Sequence, residues 1–144
     1  MKIKVRKIKE QDYEVVGKIH NKAFSCIGQT KESFQDSFTS HTTWVAVSGN
    51  KVIGYIQSKN KKTTVYCTWF AVDKKFRQCG AGKRLLRALM RHTKKTKAKK
   101  IQLETRNRFK PAIYFYLQND FDIIGTRVGL DSDTMILLEY QFKK

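Results

Sequence analysis

Proline is nearly absent from this chain: Pro111 is the only one in 144 residues. No linker, internal repeat or low-complexity boundary interrupts residues 1–144, so one domain is expected, long enough to bury a core. Cysteine is equally sparse. Cys26, Cys67 and Cys79 are odd in number, far apart and without a C-x-x-C pair, which argues against a disulfide framework and against a zinc site; no metal is expected. No window approaches the roughly 18 continuous apolar residues of a membrane span, and the opening MKIKVRKIKE has no apolar signal-peptide region. A soluble, cytoplasmic protein with no membrane partner is expected. Acidic residues are also few, with 12 Asp and Glu against 30 Lys and Arg, for a formal charge of +18. Such a field attracts nucleic acid, ribosomes, acidic proteins and phosphorylated cofactors, and repels polycations at long range. The densest run, TKKTKAKK from Thr93 to Lys100, falls at the expected end of a helix, where cations complement the dipole. A lysine-rich proteome would give the same surplus.

What is present is organised around Thr68 to Met90, TWFAVDKKFRQCGAGKRLLRALM. An apolar run, Trp69 to Val72, stops at Asp73; a basic, glycine-containing loop follows, and Leu85, Leu86, Leu89 and Met90 recur at helical spacing. A loop so placed is an anion site. Gly80 and Gly82 let the backbone approach a ligand, the first-turn N–H groups have no intrahelical partners, and the helix dipole favours negative charge. Arg77, Lys83 and Arg84 add positive charge. A Walker loop is excluded because position 77 is not glycine and Arg84 follows Lys83; a G-x-G-x-x-G fingerprint is not completed by Gly80 to Leu85.

The remaining elements follow from periodicity. Residues 2–8 alternate as an edge or half-buried strand, and a helix follows with Asp12 as its N-cap and Tyr13, Val16, Ile19, His20, Ala23 and Phe24 at spacings of three and four. His20 on that face reads as a core or boundary histidine. Residues 30–38 read as a second short helix with Phe34 and Phe38 inward. Strands 43–47 and 51–58 join at Ser48-Gly49-Asn50, and a turn at Asn60 to Lys62 leads into strand 63–72. After the helix from Gly80 to about Lys95 come strand 100–105, helix 109–118 with Pro111 near its start, strand 121–126 and a last strand, Thr134 to Phe142, that closes the sheet.

The pattern V-x-x-x-x-[QR]-x-x-G-x-G, written here Val72, Arg77, Gly80, Gly82, resembles the acetyl-CoA signature of the GNAT acyltransferase superfamily, and the element order resembles the GNAT fold over nearly the whole chain. The resemblance implies an α/β (α+β) fold: a mixed, mostly antiparallel sheet of about seven strands flanked by about four helices. The strands ending near Val72 and Glu104 would splay apart to admit acetyl-CoA. It implies that the backbone of Phe70, Ala71 and Val72 pairs with the pantetheine arm, with an oxyanion donor at the N–H of Val72 or its neighbour. The amides of Arg77, Gln78, Cys79, Gly80, Ala81, Gly82 and Lys83 would hold the pyrophosphate.

Leu103-Glu104-Thr105-Arg106 resembles the L-E-V-R strand of ribosomal-protein alanine N-acetyltransferases, which implies Glu104 as the base; the other reading is a glutamate paired with Arg106 or a lysine. Strand alternation puts Gln102, Glu104 and Arg106 on one face and Ile101, Leu103 and Thr105 on the other. Ala112 to Tyr116 resembles the family's A-x-x-x-Y segment, which implies Tyr116 as the acid that protonates the leaving thiolate; its other reading is packing. Asn107 is carried over as a cofactor contact because Phe109 stands at the family's usual asparagine. Gln78 stands where many members have glycine, and Asp120 replaces the glycine of L-G-F. Tyr66 occupies the place of the base in the histone-acetyltransferase branch, whose mechanism therefore does not transfer.

The resemblance thus implies an acetyl-CoA-dependent N-acetyltransferase, acting on a primary amine by direct attack in a ternary complex. A protein N-terminus, a lysine and a small-molecule amine all remain open. Residues 25–42, with Gln29, Lys31, Glu32, Asp36 and His41, contain no recognition motif that names the acceptor. A competing reading is a basic nucleic-acid- or ribosome-binding module that keeps this fold without turnover. Ribosome or RNA association would follow from the charge under either reading, and a monomer and a homodimer are both open.

Overall fold

The structure, a computed structural model, describes residues 2–24 and 31–142. Its elements run β1 Ile3–Lys7, α1 Tyr13–Phe24, α2 Lys31–Asp36, β2 Thr42–Ser48, β3 Lys51–Lys61, β4 Thr64–Val72, α3 Ala81–Lys94, β5 Lys100–Arg106, α4 Lys110–Gln118, β6 Asp122–Val128 and β7 Thr134–Gln141. This is the α/β order expected from the sequence: one seven-stranded sheet, ordered β1-β2-β3-β4-β5-β7-β6, with four α-helices among the described residues. The pairing is mostly antiparallel, and β4 and β5 run parallel through Thr64↔Lys100, Val65↔Ile101 and Tyr66↔Gln102. Cys26, Gln29 and the expected helix start at Thr30 lie outside the described residues.

The chain forms two compact units: residues 1–59 with 67–92, and residues 60–66 with 93–144. In the first, Val16, Ile19, Phe34, Phe38, Val45, Val52, Tyr55 and Ala71 form the core. Each Val, Ile and Phe among them contributes about 1.5–3 kcal/mol on burial. His20 is a core residue, as its place on the apolar face of α1 implied: it is 1% exposed, stacks on Phe34 at 3.7 Å and shares a 2.6 Å hydrogen bond between its Nδ1 and the Tyr55 hydroxyl.

Asp12 departs from expectation. It does not cap α1 but ends a 3-10 turn, Glu10–Asp12, and reaches backwards, accepting from the Lys9 N–H at 2.8 Å and from the Arg6 guanidinium at 2.7 and 3.1 Å. Arg6, next to last in β1, offers two charged donors, and these outcompete the orphan amides of the next helix.

In the second unit Val65, Ile101, Leu103, Tyr116, Phe121, Ile136 and Leu138 are buried. Strand β7 lies between β5 and β6, so the last strand in sequence is interior and β6 forms the edge. The hairpin β6–β7 explains this placement: β7 returns beside β6 from Val128↔Thr134 and presents its other side to β5 from Arg106↔Met135.

Candidate active site

In the first unit β4 ends at Val72, and the chain enters a short 3-10 turn, Lys74–Phe76. Asp73 fixes that turn by accepting from the Lys75 N–H at 3.0 Å, while its own N–H donates to Ile53 O at 2.7 Å. Arg77 is extended, exposed and reaches back with Nε to Val72 O at 3.4 Å. Cys79 donates its thiol to Phe76 O at 2.6 Å. Gln78 at φ 64° and Gly80 at φ 89° are both left-handed. For Gln78 this conformation costs on the order of 1 kcal/mol. A glycine would adopt it freely, in keeping with the glycine expected there from the family resemblance. Gln78 and Gly80 both lie in the last three residues before α3 begins at Ala81.

That helix carries no acidic residue in its first turn. Ala81, Leu85, Leu86 and Leu89 are buried, anchoring one face, while Lys83, Arg84, Arg87 and Arg91 are exposed on the other. Open amides, a positive dipole end and unopposed cations make the Arg77 to Lys83 segment fit for a phosphate group. The whole set Phe70, Ala71, Val72, Arg77, Gln78, Cys79, Gly80, Ala81, Gly82 and Lys83 is contiguous here; Phe70, Val72, Cys79 and Gly82 are half-buried and Ala71 buried.

Gly54 on β3 supports this strand in a way the motif did not name. A Cβ there would meet Ala71 O at 3.0 Å, Val72 Cγ2 at 3.2 Å and Leu85 Cδ1 at 3.3 Å. A glycine inside an otherwise apolar strand was the available signal, since such a residue marks close backbone approach.

In the second unit, alternation along β5 is as expected for Ile101 and Leu103, which are buried, and for Glu104, which is exposed. Glu104 accepts from Arg127 of β6, from Nε at 2.7 Å and also from Nη2. The hydrogen bond and the charge of Glu104 both raise the Arg127 guanidinium above its ordinary value. Arg106 is instead buried and bridges Asp131 and Asp133 in the β6–β7 turn. Glu104 is thus ion-paired, with Arg127 and not with Arg106 or a lysine. Nothing in the local sequence announces a pair 23 residues apart across β7.

Tyr116 on α4 is 7% exposed and packs its ring 5.5 Å from Phe121, whereas Tyr114 on the same helix is 68% exposed. Asn107 is exposed; its side-chain oxygen accepts from Lys110 Nζ at 2.9 Å. Cys67 is buried, and burial pushes its thiol up to about 12. Among the described residues no group of three or more His, Cys, Asp or Glu is arranged to hold a metal ion, and no helix is long and apolar enough to cross a membrane.

Residues 7–121 match the model of the Acetyltransferase (GNAT) family. The chain belongs to that family, and its general activity is acetyl transfer. No curated protein matches the sequence. Among solved structures, Ard1 from Thermoplasma volcanium is similar over 100% of both chains at 22% identity and TM-score 0.90. The ribosomal-protein-S18-alanine N-acetyltransferase from Escherichia coli is similar over 97% of this chain and 94% of its own, at 17% identity and TM-score 0.84. The PaiA N-acetyltransferase from Thermoplasma acidophilum, solved in complex with coenzyme A, is similar over 99% of this chain and 100% of its own, at 17% identity and TM-score 0.82. At such identities these likenesses concern the fold.

Proposed function

We infer that the protein is a single-domain N-acetyltransferase that moves an acetyl group from acetyl-CoA to a primary amine, by direct attack within a ternary complex. The observation that carries this reading is the loop between β4 and α3. Left-handed Gln78 and Gly80 turn its backbone into a helix start free of carboxylates and ringed by Arg77, Lys83 and Arg84. Coenzyme A complexes of similarly folded proteins, such as PaiA, support the same ligand class.

Acetyl-CoA, when bound, supplies a thioester and a thiolate leaving group. The chain's own residues would do the rest. The Arg77 to Lys83 amides hold the pyrophosphate, the backbone of Phe70 to Val72 orients the pantetheine, and an N–H at Val72 or its neighbour donates to the developing oxyanion. A preorganised donor of that kind is worth about 3 kcal/mol. Amines of pKa about 8 to 10.4 are mostly protonated at neutral pH. Glu104, held by Arg127, would take the amine's proton, directly or through water, and Tyr116 would return a proton to the thiolate. Orientation alone can supply about 7 kcal/mol or more, so a weak base suffices.

The test is isothermal titration with acetyl-CoA and with CoA at two salt concentrations, followed by an amine screen read as free-thiol release. Saturable one-to-one binding and acceptor-dependent thiol release are expected; no binding at low salt would overturn the reading in favour of a basic binding module.

A further inference from the structure

The positive charge on the outward face of α3 extends beyond the loop that opens the helix, to Arg87 and Arg91. A groove of about 640 Å3 runs along it, lined by Cys79, Gly80, Lys83, Arg84, Arg87, Met90 and Arg91. Four of these seven residues are cations and none is acidic. Lys83, Arg84, Arg87 and Arg91 are exposed, and no ion pair among the described residues involves any of them. Four carboxylates are held by other arginines: Asp12 by Arg6, Asp131 and Asp133 by Arg106, Glu104 by Arg127.

Only the near end of this groove adjoins the loop. Arg87 and Arg91 stand seven and eleven residues beyond Gly80, about 10 and 16 Å further along the helix axis at a rise of about 1.5 Å per residue. A group seated on the Gly80 amides leaves that far end vacant. Lys83, Arg87 and Arg91 succeed one another at intervals of four residues, so their cations are stepped by about 6 Å along one face, a spacing of the order that separates neighbouring phosphates of an extended strand. Guanidinium forks bind phosphate oxygens bidentately, and their planes, beside the thioether of Met90, offer surfaces on which unstacked bases rest.

We propose that the Arg87, Met90 and Arg91 end of the groove is a binding site for the phosphate backbone of single-stranded RNA, separate from the loop that opens α3. The site does not rest on acetyl transfer. Charge complementarity selects the occupant: the whole chain carries +18, and a strand whose every unit is anionic satisfies a row of unpaired cations better than a folded acidic protein, whose carboxylates are set by its own fold. Basic proteins gain such affinity largely through counterion release, which makes it steeply dependent on salt.

The experiment is fluorescence anisotropy of a labelled single-stranded oligoribonucleotide of mixed sequence with the full chain. Wild type, R87A/R91A and R87E/R91E are compared across a salt series, with and without saturating CoA. Circular dichroism and CoA titration serve as controls for folding. Expected is wild-type binding that weakens steeply with salt and changes less than about twofold when CoA is added. The double alanine variant should lose about tenfold or more in affinity, with a salt slope lower by about two, one for each phosphate contact removed. The double glutamate variant should bind still less, and both should keep wild-type CoA affinity. Three results would overturn the proposal: no wild-type binding at low salt, variants that bind RNA as well as wild type, or full displacement of RNA by CoA. None of these bears on whether acetyl-CoA is turned over.

Discussion

Arg127 on edge strand β6 holds both carboxylate oxygens of Glu104 on β5, reaching past the intervening strand β7 to do so. The pair is exposed, and exposed ion pairs contribute little to stability; what it does is hold the carboxylate in one orientation. Replacing Glu104 by Gln keeps the shape and removes the proton acceptor. Turnover should fall on the order of 100-fold, with acetyl-CoA affinity and thermal midpoint unchanged and the pH dependence of the rate altered. Equal turnover at every pH, read by thiol release, would leave Glu104 a structural partner of Arg127.

The strand alternation that exposes Glu104 was legible because a period of two needs only local residues. Its partner was not. Arg127 and Arg106 are both arginines on strands of the same sheet, and only the insertion of β7 between β5 and β6 decides which reaches Glu104 and which is drawn to Asp131 and Asp133. The same limit applies to Asp12: its position before an amphipathic run reads as a cap, and the competing guanidinium of Arg6 becomes visible only when β1 lies beside it. The β4–α3 loop was the most legible part. Glycines, cations and the end of an apolar run are all within a dozen residues of one another, so no long-range pairing had to be guessed.

Arg77 is exposed and bonded only weakly, to Val72 O at 3.4 Å, so its replacement should not disturb the fold. Arg77→Ala removes a charge beside the proposed pyrophosphate. CoA affinity should drop about five- to tenfold, and by less at high salt, because screening already weakens the same contact. Titration at two ionic strengths checks this, and unchanged affinity at both would remove Arg77 from the site.

Gly54→Ala brings a methyl group against Ala71 O at 3.0 Å, a backbone atom that cannot swing aside. The strand must shift, at a cost of about 1–3 kcal/mol. Because Ala71 and Val72 are proposed to align the pantetheine, the variant should also bind acetyl-CoA more weakly. Chemical denaturation and titration read the two effects separately. Full stability in the variant would mean that β3 and β4 are not in such close approach.

Asp12 supplies an acid-dependent part of the stability. Burial alone would push its carboxyl up, but hydrogen bonds from Arg6 and from the Lys9 N–H, with the nearby positive charge, outweigh burial and hold it below the ordinary carboxylate range. A depressed folded-state value means the contribution is complete above the unfolded value of about 3.9 and is lost as pH falls through that value toward the folded one. Asp12→Asn should therefore cost about 1–3 kcal/mol at pH 7. The difference from wild type should shrink progressively as pH falls below about 3.9 toward the folded-state value. Denaturant titrations at neutral and acid pH decide it: a penalty that persists in acid would belong to the geometry of the turn and not to the charge.

Tyr116 and Tyr114 form an internal comparison, since both lie on α4 but one is 7% and the other 68% exposed. Removing the Tyr116 hydroxyl leaves its ring beside Phe121, so Tyr116→Phe should cost no more than about 1.5 kcal/mol of stability, the range of one hydrogen bond. If that hydroxyl delivers the proton to the departing thiolate, turnover should fall about 100-fold or more while acetyl-CoA and CoA still bind. Tyr114→Phe should match wild type in both respects, because its hydroxyl points away from the buried side of the helix. Steady-state rates for the two variants with one amine acceptor distinguish the roles. A Tyr116→Phe enzyme as fast as wild type would assign Tyr116 to packing alone and leave the proton to solvent.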